Sequence, residues 1–277
     1  GRTCHMDTRL DTGMDLWRAG DAAGARTAFA AAREADPRSA KAWFLEAAAA
    51  IEGGRLDDAE TALAQAADLQ PGWSVARFWL GQLVRRHGRL AEARAHFAAA
   101  ATELDGFVPL HLHAGSAALE AGDAVGAIAA FARATELAPT SGEAWGMLGL
   151  ARDEAGDLRG AMTALQRAAE AEPLASAPWV RLGWVLGRRK LHAEAAQAYE
   201  YALKRDPGDA QTWLNLGLVR ARLKDLPGAQ AAFEQAIHAD PLYEDGHFWL
   251  AASRAGSDQA DQAREAFAAL AARHPSN

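Results

Sequence analysis

The chain has 277 residues, half of them apolar, and a formal net charge of −7. No apolar run approaches the roughly 20 residues needed to cross a bilayer, and the first residues do not read as a basic, hydrophobic secretion leader. The acidic balance disfavours nucleic acid as a partner, and the single cysteine, Cys4, excludes a disulfide framework. We therefore expect a cytoplasmic protein without direct membrane insertion, although a leader that had been removed would leave no trace.

The first five residues, "GRTCH", are typical of a cloning site. The pair His5–Met6 is what such a site with an overlapping start codon encodes. We therefore expect residues 1–5, including Cys4, to be a cloning remnant and the native or expressed segment to begin at Met6.

From Met6 onward the sequence repeats with a period of 34 residues, without insertion or deletion. The eight units are 6–39, 40–73, 74–107, 108–141, 142–175, 176–209, 210–243 and 244–277. A fixed period in this range is typical of a repeat array. We number the positions within a unit as places, with Met6 at place 1, and predict that the eight units form one elongated domain.

Each unit is predicted to be a hairpin of two helices. Places 2–14 and 18–31 carry apolar residues at helical spacing, and glycine separates the two segments in the first five units. Proline at place 32 cannot continue the second helix. These prolines are Pro37, Pro71, Pro139, Pro173, Pro207, Pro241 and Pro275; the third unit has Asp105 there, followed by Gly106 and Pro109.

Small residues recur where the two helices of a hairpin should meet. Place 20 is alanine in every unit, place 27 is alanine in seven, and place 8 is glycine in six: Gly13, Gly81, Gly115, Gly149, Gly183 and Gly217. Six interior glycines cost about 6 kcal/mol of helix propensity, so packing between helices must offset them. We expect large residues at places 4, 7, 11 and 24 to interlock over these small ones.

This pattern, with tryptophan at place 4 in half the units, resembles the tetratricopeptide repeat family over nearly the whole chain. The tryptophans are Trp43, Trp145, Trp179 and Trp213. The resemblance implies an all-α, right-handed superhelical solenoid of antiparallel helix hairpins. It also implies that the first helices line a concave groove, chiefly through places 2, 5, 6, 9, 12 and 13, and that the groove binds a protein or peptide partner without a cofactor.

The groove places of this chain are mainly apolar and aromatic. Exposed aromatic residues are common anchors of interfaces, so a peptide or an amphipathic segment is the expected partner. For Phe44, Phe78 and Phe248 the alternative is that they seal the seam between neighbouring first helices. The candidate groove residues are Phe44, Phe78, Trp79, Gln82, His113, Met147, Arg181, Trp184, Asn215, Phe248 and Trp249.

Two details refine the expected partner. Chaperone-binding relatives grip a terminal carboxylate with lysine, arginine and asparagine at fixed groove places, and the places around Asn215 lack those cations. Residues 176–224 contain nine basic and four acidic residues, and Lys190 replaces the usual glycine of the turn. The stretch 187–192, "GRRKLH", is either a solvated turn or a contact for an acidic partner segment.

Catalysis and metal binding are not expected. His111 and His113 are two residues apart, so on a helix they point to different sides, and no metalloprotease helix, phosphate loop or nucleophile elbow occurs. A third class of function is self-assembly. Phe267 and Leu270 fall at places of the last unit that should face a further helix. We therefore expect that the chain either is part of a longer protein or pairs with a second copy there.

Overall fold

The computed structural model describes residues 2–255 and 259–273, and for residues 2–7 and 260 only the backbone. Inter-residue contacts cluster in two compact units, 1–137 and 138–277. From here on, unit 1 and unit 2 mean these two compact units, and the 34-residue units of the sequence are called repeats. The described residues form sixteen helices and no strand. The all-α prediction is therefore confirmed, whereas Pro275 and the side chain of Cys4 lie outside the described residues.

Unit 1 contains four hairpins, in each of which an odd-numbered helix is followed by an even-numbered one. Its helices are α1 (Arg2–Arg18), α2 (Ala22–Ala35), α3 (Ala40–Glu52), α4 (Leu56–Leu69), α5 (Ser74–Arg86), α6 (Leu90–Leu104), α7 (Val108–Glu120) and α8 (Ala124–Leu137). Helix α1 begins at Arg2, before the first repeat unit. The origin of residues 1–5 in cloning stays a prediction.

Unit 2 has the same organisation. Its helices are α9 (Gly142–Glu154), α10 (Leu158–Ala171), α11 (Ala177–Arg188), α12 (His192–Leu203), α13 (Ala210–Arg222), α14 (Leu226–Ala239), α15 (Glu244–Ala255) and α16 (Ala260–Arg273). From α3 onward the first helices begin at place 1 or 2, and all second helices begin at place 17. The hairpins thus keep the 34-residue register of the sequence.

The core of each hairpin lies at the small and large places of the repeat. Alanine at place 20 is buried in all eight hairpins, and the residue at place 24 is buried in the first seven, as in Phe29, Phe131 and Phe233. A Cβ added to Gly115 would lie 2.5 Å from the ring of Phe131. Glycine at place 8 therefore leaves the space that the ring at place 24 fills.

The turn between the two helices bends the chain at place 15. The residue there has positive φ in the first seven hairpins: glycine in five, then Lys190 at 62° and Lys224 at 63°. An aspartate caps the second helix in four hairpins; Asp21, for example, accepts a hydrogen bond from the amide of Gly24. The same bond joins Asp123 to Gly126, Asp157 to Gly160 and Asp225 to Gly228.

Place 4 carries a side-chain N–H donor for the preceding turn. The indoles of Trp43, Trp145 and Trp213 donate to the carbonyl oxygens of Pro37, Pro139 and Pro207 at 2.8–2.9 Å. In two other repeats, His111 donates to the Asp105 carbonyl at 2.6 Å and His247 donates to the Pro241 carbonyl at 2.9 Å. In these five repeats the place-4 residue thus links the first helix to the end of the hairpin before it.

Candidate partner-binding site

The first helices form a face within each unit. Helix α5 contacts α7, and α13 contacts both α11 and α15, in addition to the contacts within hairpins. Places 5, 6, 9, 12 and 13 of the first helices carry most of the residues that line the two pockets described below. We call the surface made by these places the first-helix face of each unit.

Three tryptophans on the first-helix faces are exposed. The relative exposure is 39% for Trp79, 45% for Trp184 and 39% for Trp249. In contrast, the five aromatic residues at place 24 of the first seven hairpins are all buried. Places 6 and 9 therefore present indole rings to the surroundings, as expected from the sequence.

Unit 1 has an apolar pocket of about 350 Å³ on this face. Its walls come from α1, α3, α4 and α5. The indole of Trp17 donates a hydrogen bond to the carboxylate of Glu52, which is the only charged lining residue. The lining residues are Trp17, Phe44, Ala48, Ile51, Glu52, Leu63 and Trp79.

Two of the predicted phenylalanines in unit 1 have different environments. Phe44 is partly buried, lies 4.6 Å from the ring of Trp73, and lines the pocket. Phe78 is only 5% exposed and packs against Phe97 and Phe107. Of the two alternatives given for Phe78, the structure therefore supports packing at the seam over exposure in the groove, because the aromatic residues of its own hairpin and of the next turn enclose it.

Gln82 and His113 are partly buried on the first-helix face of unit 1. The Nδ1 atom of His113 lies 3.1 Å from the guanidinium of Arg85. Burial and the charge of Arg85 lower the pKa of His113. This imidazole is therefore neutral near pH 7 and adds no charge to the face.

Unit 2 has a larger and more polar pocket of about 400 Å³. It brings together three predicted residues, Trp184, Asn215 and Trp249. Burial raises the pKa of Tyr199, at the base of the pocket, to about 12, so that its phenol is neutral. The lining residues are Trp184, Gly187, Arg188, His192, Tyr199, Asn215, Leu218, Val219, Arg222 and Trp249.

Arg188 is held in a fixed position in this pocket. Its guanidinium lies 4.8 Å from the centre of the Trp184 ring, a geometry typical of a cation–π contact. One of its nitrogens donates to Oδ2 of Asp153 at 2.6 Å, and the Asp153 side chain is buried. A buried carboxylate thus orients a guanidinium that is still about half exposed.

The pockets do not include every residue expected on the face. Met147 and Arg181 are partly buried in α9 and α11 and line neither pocket. Phe248 is exposed and contacts Trp249 and Phe267 edge-on, at 5.5 and 5.7 Å between ring centres. Phe267 and Leu270 are both partly exposed in α16.

The charged residues at place 13 were not predicted from the sequence as pocket residues. Glu52, Arg188 and Arg222 all occupy this place and line the pockets. Place 13 belongs to the expected groove, but the sequence marks Arg188 and Arg222 only as part of a locally basic segment. Their common place number is the signal that would have identified them.

The described part of the chain shows no group of three or more histidine, cysteine, aspartate or glutamate side chains that could hold a metal ion. His111 instead has the structural bond to the Asp105 carbonyl given above. Within the same residues, no helix combines the length and apolar character that spanning a membrane requires.

Comparisons with solved structures place the fold among repeat proteins. The C-terminal part of a TPR repeat-containing protein from Cytophaga hutchinsonii is 15% identical, with a TM-score of 0.72 over 86% of this chain and 97% of that one. MamA is 24% identical, with a TM-score of 0.55 over 58% of this chain and 95% of that one. YrrB, a TPR protein, is 20% identical, with a TM-score of 0.54 over 68% and 96%.

A search of curated proteins gives no match. The family model described as tetratricopeptide repeat matches residues 10–74, 74–109, 147–210, 180–244 and 214–277. Its matches cover most of the chain and both units. Together with the hairpin register, they show that the chain belongs to the tetratricopeptide repeat family and is an all-α solenoid of helix hairpins.

Proposed function

We propose that the protein is a non-catalytic scaffold that binds a peptide or an amphipathic segment of a partner protein on its first-helix faces. The observation that carries this proposal is the exposure of Trp79, Trp184 and Trp249 on these faces. The family assignment supports an interaction scaffold, and the solved structure of YrrB is described as having an unusual peptide-binding site.

The physical argument rests on the cost of exposed indole rings. A large aromatic side chain loses favourable burial when it faces water, and aromatic anchors dominate the binding energy of many interfaces. Both pockets have the size of small recognition sites and each contains exposed indole surface. A partner side chain that enters either pocket would bury that surface.

The experiment begins with short random peptides selected on the immobilised protein. Binding of the enriched peptides is then measured by fluorescence anisotropy. We expect Trp79→Ala or Trp184→Ala to weaken the binding of peptides in the corresponding unit by about 2 kcal/mol, which is roughly thirtyfold in affinity. Circular dichroism should show unchanged helix content.

Leu174→Ala is the matched control. Leu174 is 91% exposed, lies between α10 and α11, and lines neither pocket. The substitution removes exposed apolar surface that lies away from the first-helix faces, so it should leave the peptide affinity unchanged. Peptide affinities that are the same in wild type, Trp79→Ala and Trp184→Ala would refute the proposal.

Self-association through α16 is the alternative proposal. It is supported by the partial exposure of Phe267 and Leu270 and by the contact of Phe267 with exposed Phe248. Light scattering would show a dimer that Leu270→Glu disrupts, whereas a monomer at all concentrations would argue against it. A cytoplasmic location and the absence of nucleic-acid partners stay predictions from the sequence.

A further inference from the structure

The polar groups of the unit 2 pocket are cationic or neutral. Arg188 and Arg222 line it together with His192 and Asn215, and no aspartate or glutamate is among the lining residues. The indole rings of Trp184 and Trp249 supply its exposed aromatic surface. The pocket therefore combines positive charge with an apolar wall.

Arg222 has no carboxylate partner among the described residues, and its side chain is exposed. By comparison, Arg220 on the same helix is paired with Glu200 at 2.9 Å. A cation in the last turn of a helix is favourable by itself because of the helix dipole. That effect explains a basic residue at this place but gives no reason for it to share a pocket with two exposed indoles.

Arg188 contributes a second, oriented guanidinium. Its contact with buried Asp153 satisfies one of its nitrogens and neutralises part of its charge. The remaining donors of the planar group stay available beside the Trp184 ring. Lys190 and Lys224 follow the two arginines in exposed turns, so the cationic edge continues beyond the pocket.

We propose that the unit 2 pocket recognises an acidic peptide segment of a partner protein. An aspartate or glutamate side chain of the segment accepts hydrogen bonds from Arg222 and Arg188, and a neighbouring apolar side chain packs between Trp184 and Trp249. This inference rests on the proposed function, because it names the chemical class of the peptide that one of the two faces binds.

The charge of the site favours a carboxylate over a phosphate. Asp153 already offsets much of the charge of Arg188, which leaves about one net positive charge in the pocket, and this matches a monoanion better than a dianionic phosphate. Arginine pairs with either group through two parallel N–H···O bonds, so the net charge of the pocket makes the distinction. The unit 1 pocket differs, since its charged lining residue is Glu52, so the preference belongs to unit 2 alone.

The test uses the full chain and the selection from short random peptides. Peptides whose binding depends on Trp184 should be enriched in aspartate and glutamate. A higher salt concentration should weaken their binding. Arg222→Gln should reduce their affinity about tenfold or more, because the substitution removes a charge-assisted contact. Replacing each acidic residue of an enriched peptide by its amide should have a similar effect.

Lys224→Gln is the matched control, because it removes an equal charge two residues away and outside the pocket lining. It should change the affinity less than Arg222→Gln does. Peptides that depend on Trp184 but carry no acidic residues, and that bind Arg222→Gln as tightly as wild type, would overturn this inference and leave the proposed function intact.

Three further outcomes also count against the inference. Stronger binding of a peptide with phosphoserine in place of the acidic residue would assign the pocket to phosphopeptides. Displacement of the peptide by a single-stranded oligonucleotide would assign it to nucleic acid. If no peptide is enriched at all, both this inference and the proposed function fail.

Discussion

At place 8 of the repeat, a glycine in the first helix faces the large residue at place 24 of the second. A Cβ added at Gly183 would lie 2.7 Å from Cε1 of the Tyr199 ring, and Tyr199 is buried. The same clash would occur at Gly13, Gly81 and Gly217 with their phenylalanine partners. In the repeats that have glycine at place 8, the absence of a side chain is therefore a packing requirement, whereas the second and eighth repeats carry Ala47 and Ala251 there.

Two glycines of α11 allow a matched test of this requirement. Gly183→Ala should destabilise the protein, because overpacking costs about 1–3 kcal/mol and outweighs a propensity gain of about 1 kcal/mol. Gly187→Ala should be neutral or stabilising, since a Cβ there would meet no atom within 4 Å. Urea denaturation of both variants measures the difference; equal stabilities would contradict the proposed packing.

At the scale of the helical element, the bond from place 4 to the carbonyl at place 32 joins consecutive hairpins. Unit 2 contains one exception. The carbonyl of Pro173 accepts a hydrogen bond from Arg205, and the buried indole nitrogen of Trp179 has no partner among the described residues. The Trp179 ring instead contacts Tyr201 and the guanidinium of Arg205.

This exception provides a comparison between two tryptophans in the same unit. Trp213→Phe removes the bond to the Pro207 carbonyl and should cost about 1 kcal/mol beyond the loss of ring volume. Trp179→Phe changes the volume equally but removes no such bond, so it should cost less. The melting temperatures of the two variants test this, and a greater loss for Trp179→Phe would be the opposite of what we expect.

The sequence was sufficient to predict the hairpins, because the 34-residue period aligns glycine at place 8, alanine at place 20 and a large residue at place 24. It was not sufficient for Phe78, whose burial depends on Phe107 in the following turn. It also did not predict the pair of Arg188 and Asp153, which are brought together from consecutive hairpins. Pairwise contacts across the repeat follow from side-chain geometry, which the period alone does not determine.

At the scale of the whole molecule, the stability of such an array is approximately a sum of hairpin and nearest-neighbour terms. The packing places are occupied by side chains that the hairpins bury, so the surfaces that differ between repeats can serve recognition. The two units show this difference: one pocket is apolar with Glu52 at its edge, and the other contains Arg188 and Arg222. Under the proposed function, we expect the two pockets to select different segments of a partner.

The most direct test of the account is an NMR measurement of the indole N–H signals of the nine tryptophans during titration with a selected peptide. We predict that the signals of Trp184 and Trp249, or of Trp79 for a peptide bound in unit 1, shift or broaden. The signals of Trp43, Trp145 and Trp213, whose N–H groups are bonded to proline carbonyls, should stay unchanged. Shifts confined to these three tryptophans, with Trp79, Trp184 and Trp249 unaffected, would contradict binding on the first-helix faces.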